Sequence, residues 1–234
     1  MYGMYGYGYG YGLDPTIILV LIGVALSLWA QGRVNSTFSR YSRVRSMTGM
    51  TGAEAARRLL NAQGIYDVTV QQIAGELTDH YDPRTKTVNL SQSVYGATSV
   101  AAIGVAAHEC GHAMQDNEGY APLRFRSALV PVANFGSSLS WPLILLGLVF
   151  GGLGSPLVEI GILMFSLAVL FQLVTLPVEY NASARAVRLL DAQGILAGEE
   201  VNGTRKVLNA AALTYVAAAA TSILQLLRLI ILFG

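Results

Sequence analysis

"VAAHECGHAMQ", residues 105–115, holds two of the chain's three histidines, four positions apart, with a glutamate directly after the first. On a helix turning about 100° per residue, positions four apart differ by only about 40° around the axis, so His108 and His112 project from one face. Glu109 stands on the flank of that face, and Cys110 points nearly opposite. Two imidazoles on one face can bind a zinc ion, but two side chains are too few to hold it. Another part of the chain must therefore fold back onto this helix, and which part does so decides the architecture. The competing reading is a pair of polar histidines facing solvent or a polar membrane cavity.

The composition limits what that other part can be. Of 234 residues, 53% are hydrophobic and 12% charged, whereas ordinary soluble domains carry roughly 25% charge. The charge is missing in blocks: Leu13–Ala30, Leu139–Gly152, Val158–Leu176 and Ala210–Phe233 are long apolar runs. Such runs suit a hydrocarbon core about 30 Å thick. The first two are near the short limit for a span, which leaves a buried core helix as the rival reading for each. Residues 128–138 are also mostly apolar and lengthen the second, with Pro131 and Pro142 as kinks that neighbouring helices can accommodate. Asp14-Pro15 supplies an N-cap followed by proline, a sound start for the first helix.

Charge asymmetry orients these spans. Ten of the fifteen Lys and Arg lie between the first and second runs, four more lie between the third and fourth, and the turn "GLGSP" (152–156) has none. By the positive-inside rule both basic segments are cytoplasmic, while both chain ends and the short turn face outward. Arg228 is the exception, close enough to the C-terminus to snorkel. A net charge of +1 gives no argument for nucleic acid, and a single cysteine excludes an internal disulfide. No basic region precedes the first run, so it reads as an uncleaved anchor.

Between the spans the patterning changes. "GAEAARRLLNAQGI" (52–65) reads as a short amphipathic helix ending in glycine, and its tail RLLNAQGI recurs as RLLDAQGI at 188–195. Helices of this composition with glycine C-caps look alike, which is the simpler reading; the other is two helix hairpins of similar build. "YDVTVQQIA" (66–74) and "ELTDHYDPRTKTVNLS" (76–91) carry the β signal, the second as a strand–turn–strand ribbon turning at Asp82-Pro83. A helix then runs from Thr98 or Ser99 through the histidines. Residues 1–12, "MYGMYGYGYGYG", lack the aliphatic residues needed for a core and read as a disordered Tyr/Gly tail or, alternatively, an aromatic interface anchor.

No histidine follows His112, so the third ligand is an acid: Asp116, Glu118, Glu159, Glu179, Asp191, Glu199 or Glu200. Glu118 lies ten residues after His108, but a ligand there needs a bend at a glycine, and the chain has Gln115 at that position. Glu159 falls on the far side of the membrane. Glu179, in "LPVEYNASARAVR" (176–188), lies where the third run ends on the cytoplasmic side, after Pro177, which marks either a helix break or a continuation. Two crossings separate it from His112, so the chain returns to the same face. The bland reading of Glu179 is a charge marking the membrane boundary.

Together "LTDHYDPRTKTVNLS", "VAAHECGHAMQ" and "PVEYNASARAV" resemble the bacterial neutral zinc metallopeptidases of the YugP type, over about residues 33–228. The resemblance implies a membrane-embedded, gluzincin-like protease with His108, His112 and Glu179 as ligands of one Zn2+ and Glu109 as the catalytic glutamate. The chain is more distantly similar to HtpX-type membrane proteases, whose glutamate ligand is followed four residues later by an aspartate supporting a zinc-bound histidine. Here that place is Ser183, so Asn181, Ser183 and Arg185 are the candidates for the supporting role. The ribbon bearing His80 is the candidate substrate-binding edge. His80 either stabilises the oxyanion or sits on the strand's polar face, with Tyr81 and Tyr180 as weaker oxyanion candidates.

The expected fold is an α-helical integral membrane protein with about four transmembrane helices and a small cytoplasmic α+β zincin-like metalloprotease module. Helices at 13–31, 128–177 (a hairpin) and 210–234 bracket cytoplasmic segments at 32–127 and 178–209. The expected function is zinc-dependent hydrolysis of peptide bonds in membrane-associated polypeptides, in the inner membrane of a bacterial cell with the site facing the cytoplasm. A membrane scaffold or chaperone with a structural zinc is the alternative, and a zinc hydrolase acting on other substrates is a third.

Overall fold

Four of the described helices are long and apolar enough to cross a membrane. A computed structural model describes residues 14–153 and 155–233, and the tail expected at 1–12 lies outside them. The elements in order are α1 (Ile17–Tyr41), α2 (Gly52–Ala62), β1 (Thr69–Ile73), β2 (His80–Asp82), β3 (Thr87–Ser91), α3 (Gln92–Tyr95), α4 (Val100–Asn117), α5 (Ala121–Gly151), α6 (Pro156–Ala192) and α7 (Glu199–Phe233). From Ile17 on, the first apolar run lies in α1, the second lies in α5 up to Gly151, and the third and fourth lie within α6 and α7.

α1 and α7 pack antiparallel along their length. A Cβ on Gly203 would meet the Tyr41 ring at 2.7 Å, one on Gly23 would meet Thr221 at 2.8 Å, and Arg228 bonds Asp14 Oδ2 at 3.1 Å. That ion pair gives Arg228 a partner at the far end of the bundle, so it need not snorkel alone. α5 and α6 form the hairpin, and their approach is close because glycines line it: a Cβ on Gly136 would sit 2.6 Å from Met164 O, and one on Gly161 2.9 Å from Ser140 O. Small residues let membrane helices touch backbone to backbone, where dispersion and not water exclusion drives packing.

Two proline outcomes differ from simple breaking. Pro131 and Pro142 lie inside α5, and Pro177 lies inside α6. α6 therefore runs unbroken past the apolar run to Ala192, carrying Glu179 on the same rod as the membrane segment. Packing against α4, α5 and α7 holds helical backbone on both sides of the proline, a compensation that membrane helices commonly use. α1 likewise continues ten residues beyond the apolar boundary at 31, to Tyr41.

The ribbon forms as the sequence indicates. β1 pairs parallel with β3 and β2 antiparallel with it, in the order β1-β3-β2. β2 is thus an open edge, with His80 opposite Asn89 and Tyr81 opposite Val88. α4 starts at a Ser99 cap whose side chain accepts from Ala102 N. Its apolar side joins α2, β3, the last turns of α6 and the start of α7 in one core that includes Leu59, Leu60, Val88, Leu90, Ile103, Met114, Leu190 and Ile195. The core draws on both segments that flank the hairpin.

The repeated RLL-x-AQGI tails end α2 and α6 in the same way. Gly64 and Gly194 have φ of +69° and +60°; Ile65 N donates to Leu60 O and Ile195 N to Leu190 O, each at 3.0 Å. These are Schellman caps, in which glycine takes the left-handed conformation and the following apolar residue is buried. The two ends touch, since Arg58 donates to Gln193 O at 2.8 Å.

α4 and α6 meet at Gly111, where a Cβ would lie 2.6 Å from the Ala182 carbonyl oxygen. Gly111→Ala pushes backbone against backbone with no flexible side chain to yield. The expected cost is about 1–3 kcal/mol, read as a Tm lowered by roughly 3–10 °C together with weakened zinc retention, because the same contact sets the ligand spacing.

Candidate metal centre

His108 and His112 lie one turn apart on α4, and Glu179 faces them from α6. His108 Nε2 is 3.2 Å and His112 Nε2 3.5 Å from the same carboxylate oxygen, Glu179 Oε2. The potential ligand atoms of the three residues all lie within 4.8 Å of one another. A tetrahedral zinc ion with donors at ~2.05 Å holds those donors about 3.3 Å apart, so the spacing fits one ion. The side chains are 15%, 12% and 4% exposed for His108, His112 and Glu179, so the cluster is nearly sealed but reachable.

The hydrogen bonds outside the cluster decide what the inward atoms can do. His112 Nδ1 is 3.0 Å from Gln115 Oε1, and the Gln115 amide nitrogen donates to Val178 O and Asn181 Oδ1, each at 2.9 Å. A backbone carbonyl only accepts, which fixes the amide's orientation and leaves Oε1 as an acceptor. His112 therefore carries a proton on Nδ1, which leaves Nε2 as the atom that faces the Glu179 carboxylate. That fixed ring orientation is the one a metal ion between Nε2 and the carboxylate needs. Ser183 Oγ stands 3.1 Å from His108 Nδ1 and plays the same orienting part there.

Of the three residues expected to share the supporting role, all take part, but Gln115 was not among them. Asn181 holds Gln115, and Arg185 holds Asn181 through its Nε at 2.7 Å while its guanidinium also donates to Glu118 Oε1 at 2.7 Å. Gln115, which the sequence reading used only as evidence against a bend, is fully buried and connects α4 to α6. Its position i+3 from His112 on one helix face is the signal that could have found it.

The rival acids are accounted for, Asp191 being exposed near the end of α6. Glu118 is bound to Arg185. Asp116 accepts from Tyr81 and Lys86, each at 2.8 Å. Glu200 accepts from Met47 N, and Glu199 from Asn202. Glu159 sits in the first turn of α6, at the opposite end of that helix from Glu179. Cys110 points into the core, with Sγ 3.6 Å from Ala56 O, and burial followed by the nearby Glu109 charge pushes its thiol pKa far up. It stays protonated and away from the cluster.

Glu109 is 7% exposed and makes no side-chain hydrogen bond among the described residues. It lines two cavities, both of which also touch His108 and Glu179. One, of about 160 Å³, opens toward Asp79, His80, Tyr81 and Arg126; the other, of about 260 Å³, opens toward Gln31, Val34 and Leu208. Tyr215 of α7 lines both cavities, and Arg126 of α5 lines the first with its Nε buried and without a hydrogen-bond partner among the described residues. Neither residue was singled out from sequence, since Tyr215 reads as part of an apolar run and Arg126 as a boundary charge.

His80 reaches the first cavity, but both ring nitrogens are engaged: Nδ1 is 2.8 Å from Thr78 O and Nε2 3.2 Å from the Asn89 amide nitrogen. Thr78 O accepts, so Nδ1 carries the proton and Nε2 accepts from Asn89, which leaves His80 no free donor for an oxyanion. Tyr81 is committed to Asp116, and burial followed by that bond pushes its phenol pKa up. Tyr180 is exposed and lines a different cavity, together with α1.

The family model described as "Putative neutral zinc metallopeptidase" matches residues 16–234. The chain belongs to that family. It is 49% identical over 217 residues to the "Putative membrane protease YugP" of Bacillus subtilis (strain 168), covering 93% of this chain and 96% of that one. No solved structure matches it. A zinc metallopeptidase family, two imidazoles and a carboxylate at ligand spacing, and four membrane-length helices agree with one another.

Because Gln115 sets the His112 tautomer and ties it to α6, Gln115→Ala is expected to weaken zinc binding by about 10–100-fold. Ser183→Ala has a smaller effect in the same direction, and Glu118→Ala leaves zinc binding intact. Competition against a chelator of known affinity measures all three.

Proposed function

We propose that the chain is a zinc endopeptidase that hydrolyses peptide bonds of membrane-associated polypeptides at the cytoplasmic face, in the inner membrane of a bacterial cell. His108, His112 and Glu179 would hold the zinc, which when bound would supply Lewis acidity that lowers the pKa of a bound water to about 7. Glu109 then acts as general base and passes the proton to the leaving amine. The observation that carries this reading is the free Glu109 carboxylate, buried beside the three ligands on the wall of both cavities. A carboxylate there, with no partner among the described residues, is free to accept a hydrogen bond from a water in the cavity.

Substrate binds in this reading as a strand added along β2, whose outer edge is unpaired and whose Asp79–Tyr81 segment lines the smaller cavity. Backbone hydrogen bonds at a sheet edge give affinity without requiring one side-chain sequence. His80 shapes that edge through its bonds to Thr78 and Asn89. The oxyanion falls to Tyr215 and Arg126, which reach the cavity with donors to spare. The cytoplasmic location rests on the Lys and Arg between the first and second and between the third and fourth apolar runs, which flank the same end of the bundle as the cluster.

A scaffold or chaperone with a structural zinc needs a fourth closing ligand. Cys110 and Glu118, two candidates for that ligand, are turned to Ala56 and Arg185, which favours the open, catalytic reading.

Glu109→Gln is expected to retain zinc at wild-type stoichiometry and to lose turnover of an unfolded membrane-protein substrate by about 10²–10⁴-fold. Glu179→Ala is expected to lose the metal. Zinc analysis beside a cleavage assay checks both, and wild-type turnover in Glu109→Gln would sink the mechanism. Tyr215→Phe is expected to lower kcat by about 10²-fold with zinc content and KM little changed.

A further inference from the structure

The largest cavity lies away from the metal, at about 680 Å³ between α1, α6 and α7. Its walls carry three cations, Arg33, Arg40 and Lys206, and no acid. On α1, Arg33 and Arg40 are seven residues apart, within about 20° of one face and about 10 Å apart along the axis. Lys206 and Leu213 stand in the same seven-residue relation on α7. α1 and α7 are antiparallel, so Arg40 and Lys206 stand at the outer lip near the Tyr41–Gly203 contact, and Arg33 lies deeper, toward Ala210 and Leu213. None of the three cations forms a salt bridge among the described residues, whereas Arg84, Lys86, Arg185 and Arg228 all do.

Depth within the membrane gives this arrangement its meaning. Trp29, exposed on α1 four residues before Arg33, marks the interface level where indole rings settle. Below it the exposed large apolar residues of α1 are Ile18, Leu21, Ile22, Val24 and Leu28. Lys206 precedes the apolar run of α7 by four residues. The cavity therefore opens where lipid head groups lie, and its floor of Ala210 and Leu213 continues into hydrocarbon-facing helix. A free anion would need only the cations; a floor that turns apolar suits a molecule with an acyl chain attached.

We propose that this cavity binds the phosphodiester head group of an anionic phospholipid, with the phosphate held by Arg33, Arg40 and Lys206 and an acyl chain along Ala210 and Leu213. Basic pockets between membrane helices select anionic head groups in this way, because each Lys or Arg gains from a charge already concentrated at the interface. Tyr180, on the cavity wall, is the residue after Glu179 on α6. Occupancy would therefore be felt on the same helix that carries Glu179.

The test titrates zinc-loaded, detergent-solubilised full-length protein with phosphatidylglycerol, phosphatidylcholine or inorganic phosphate and reads Tm. Phosphatidylglycerol at about 100 times its Kd is expected to raise Tm by roughly 5 °C, with phosphatidylcholine and phosphate well below that. The triple variant Arg33→Gln, Arg40→Gln, Lys206→Gln is expected to keep its zinc and lose the response. Removing the same charge outside the cavity, at Arg43, Arg84 and Arg124, is expected to preserve it. Equal responses to the two lipids overturn the proposal, as does an undiminished response in the triple variant. A shift reproduced by inorganic phosphate alone replaces the lipid with a free anion and overturns it too. Should the triple variant lose zinc, the single Arg40→Gln variant carries the comparison, with a partial loss expected and none contrary. Cleavage activity enters none of these readouts, so the zinc-protease reading and this one fail separately.

Discussion

The Gly111–Ala182 contact between α4 and α6 is the constraint from which the metal centre follows. A side chain at 111 would hold the two backbones apart by more than the tolerance of a metal site, in which donors need to stand about 3.3 Å from one another. With glycine there, Glu179 Oε2 comes within 3.5 Å of both imidazole nitrogens, and Gln115 can span from α4 to the Val178 carbonyl. That carbonyl lies four residues before Ala182 on α6, one turn away, so one close approach sets both the ligand distance and the tautomer of His112. Positioning and protonation are thus the same event.

Burial makes the arrangement costly without a cation. A carboxylate 4% exposed loses most of its hydration, and the effective penalty for a buried ion is several kcal/mol unless charge and hydrogen bonds compensate. Burial opposes a charge on His112, but the adjacent Glu179 and Glu109 carboxylates raise its pKa overall, so a proton on that imidazole or a metal ion supplies the charge. Metal binding and consolidation of the α4–α6 interface are therefore coupled, as in other sites whose ligands come from separated segments. The hydrogen-bond network runs from His112 through Gln115, Asn181 and Arg185 and ends at Glu118, an exposed residue at the C-cap of α4 that the inner bonds do not need.

How far the sequence discloses this depends on the range of the interaction. His108 and His112 were legible because their relation is set by helix pitch within five residues. Glu179 was legible through counting crossings, since two spans return the chain to its starting face. The ribbon was legible from turn chemistry, and its register then decided a matter no pattern could: His80 stands opposite Asn89, which occupies the ring nitrogen an oxyanion role would need. Gln115, Tyr215 and Arg126 were not legible, because their roles arise only where α4 meets α6 and where α5 and α7 close around the cluster. At Pro177 the sequence left a helix break and a continuation both open, since the outcome depends on neighbours that keep α6 whole.

The unbroken α6 also explains why a membrane hairpin sits in the middle of the core. A soluble module could bring a glutamate-bearing helix to the histidines with a short connection. Here the helix that presents Glu179 is the same rod that crosses the bilayer, and it is clamped at its far end against α5 by glycine-lined packing. Rotating or sliding that rod would move the apolar residues of α6 against lipid and α5 while moving Glu179 against the metal. Hydrophobic matching of the span to the bilayer resists both motions. Packing of the hairpin and placement of the third ligand are consequently tied through one continuous helix.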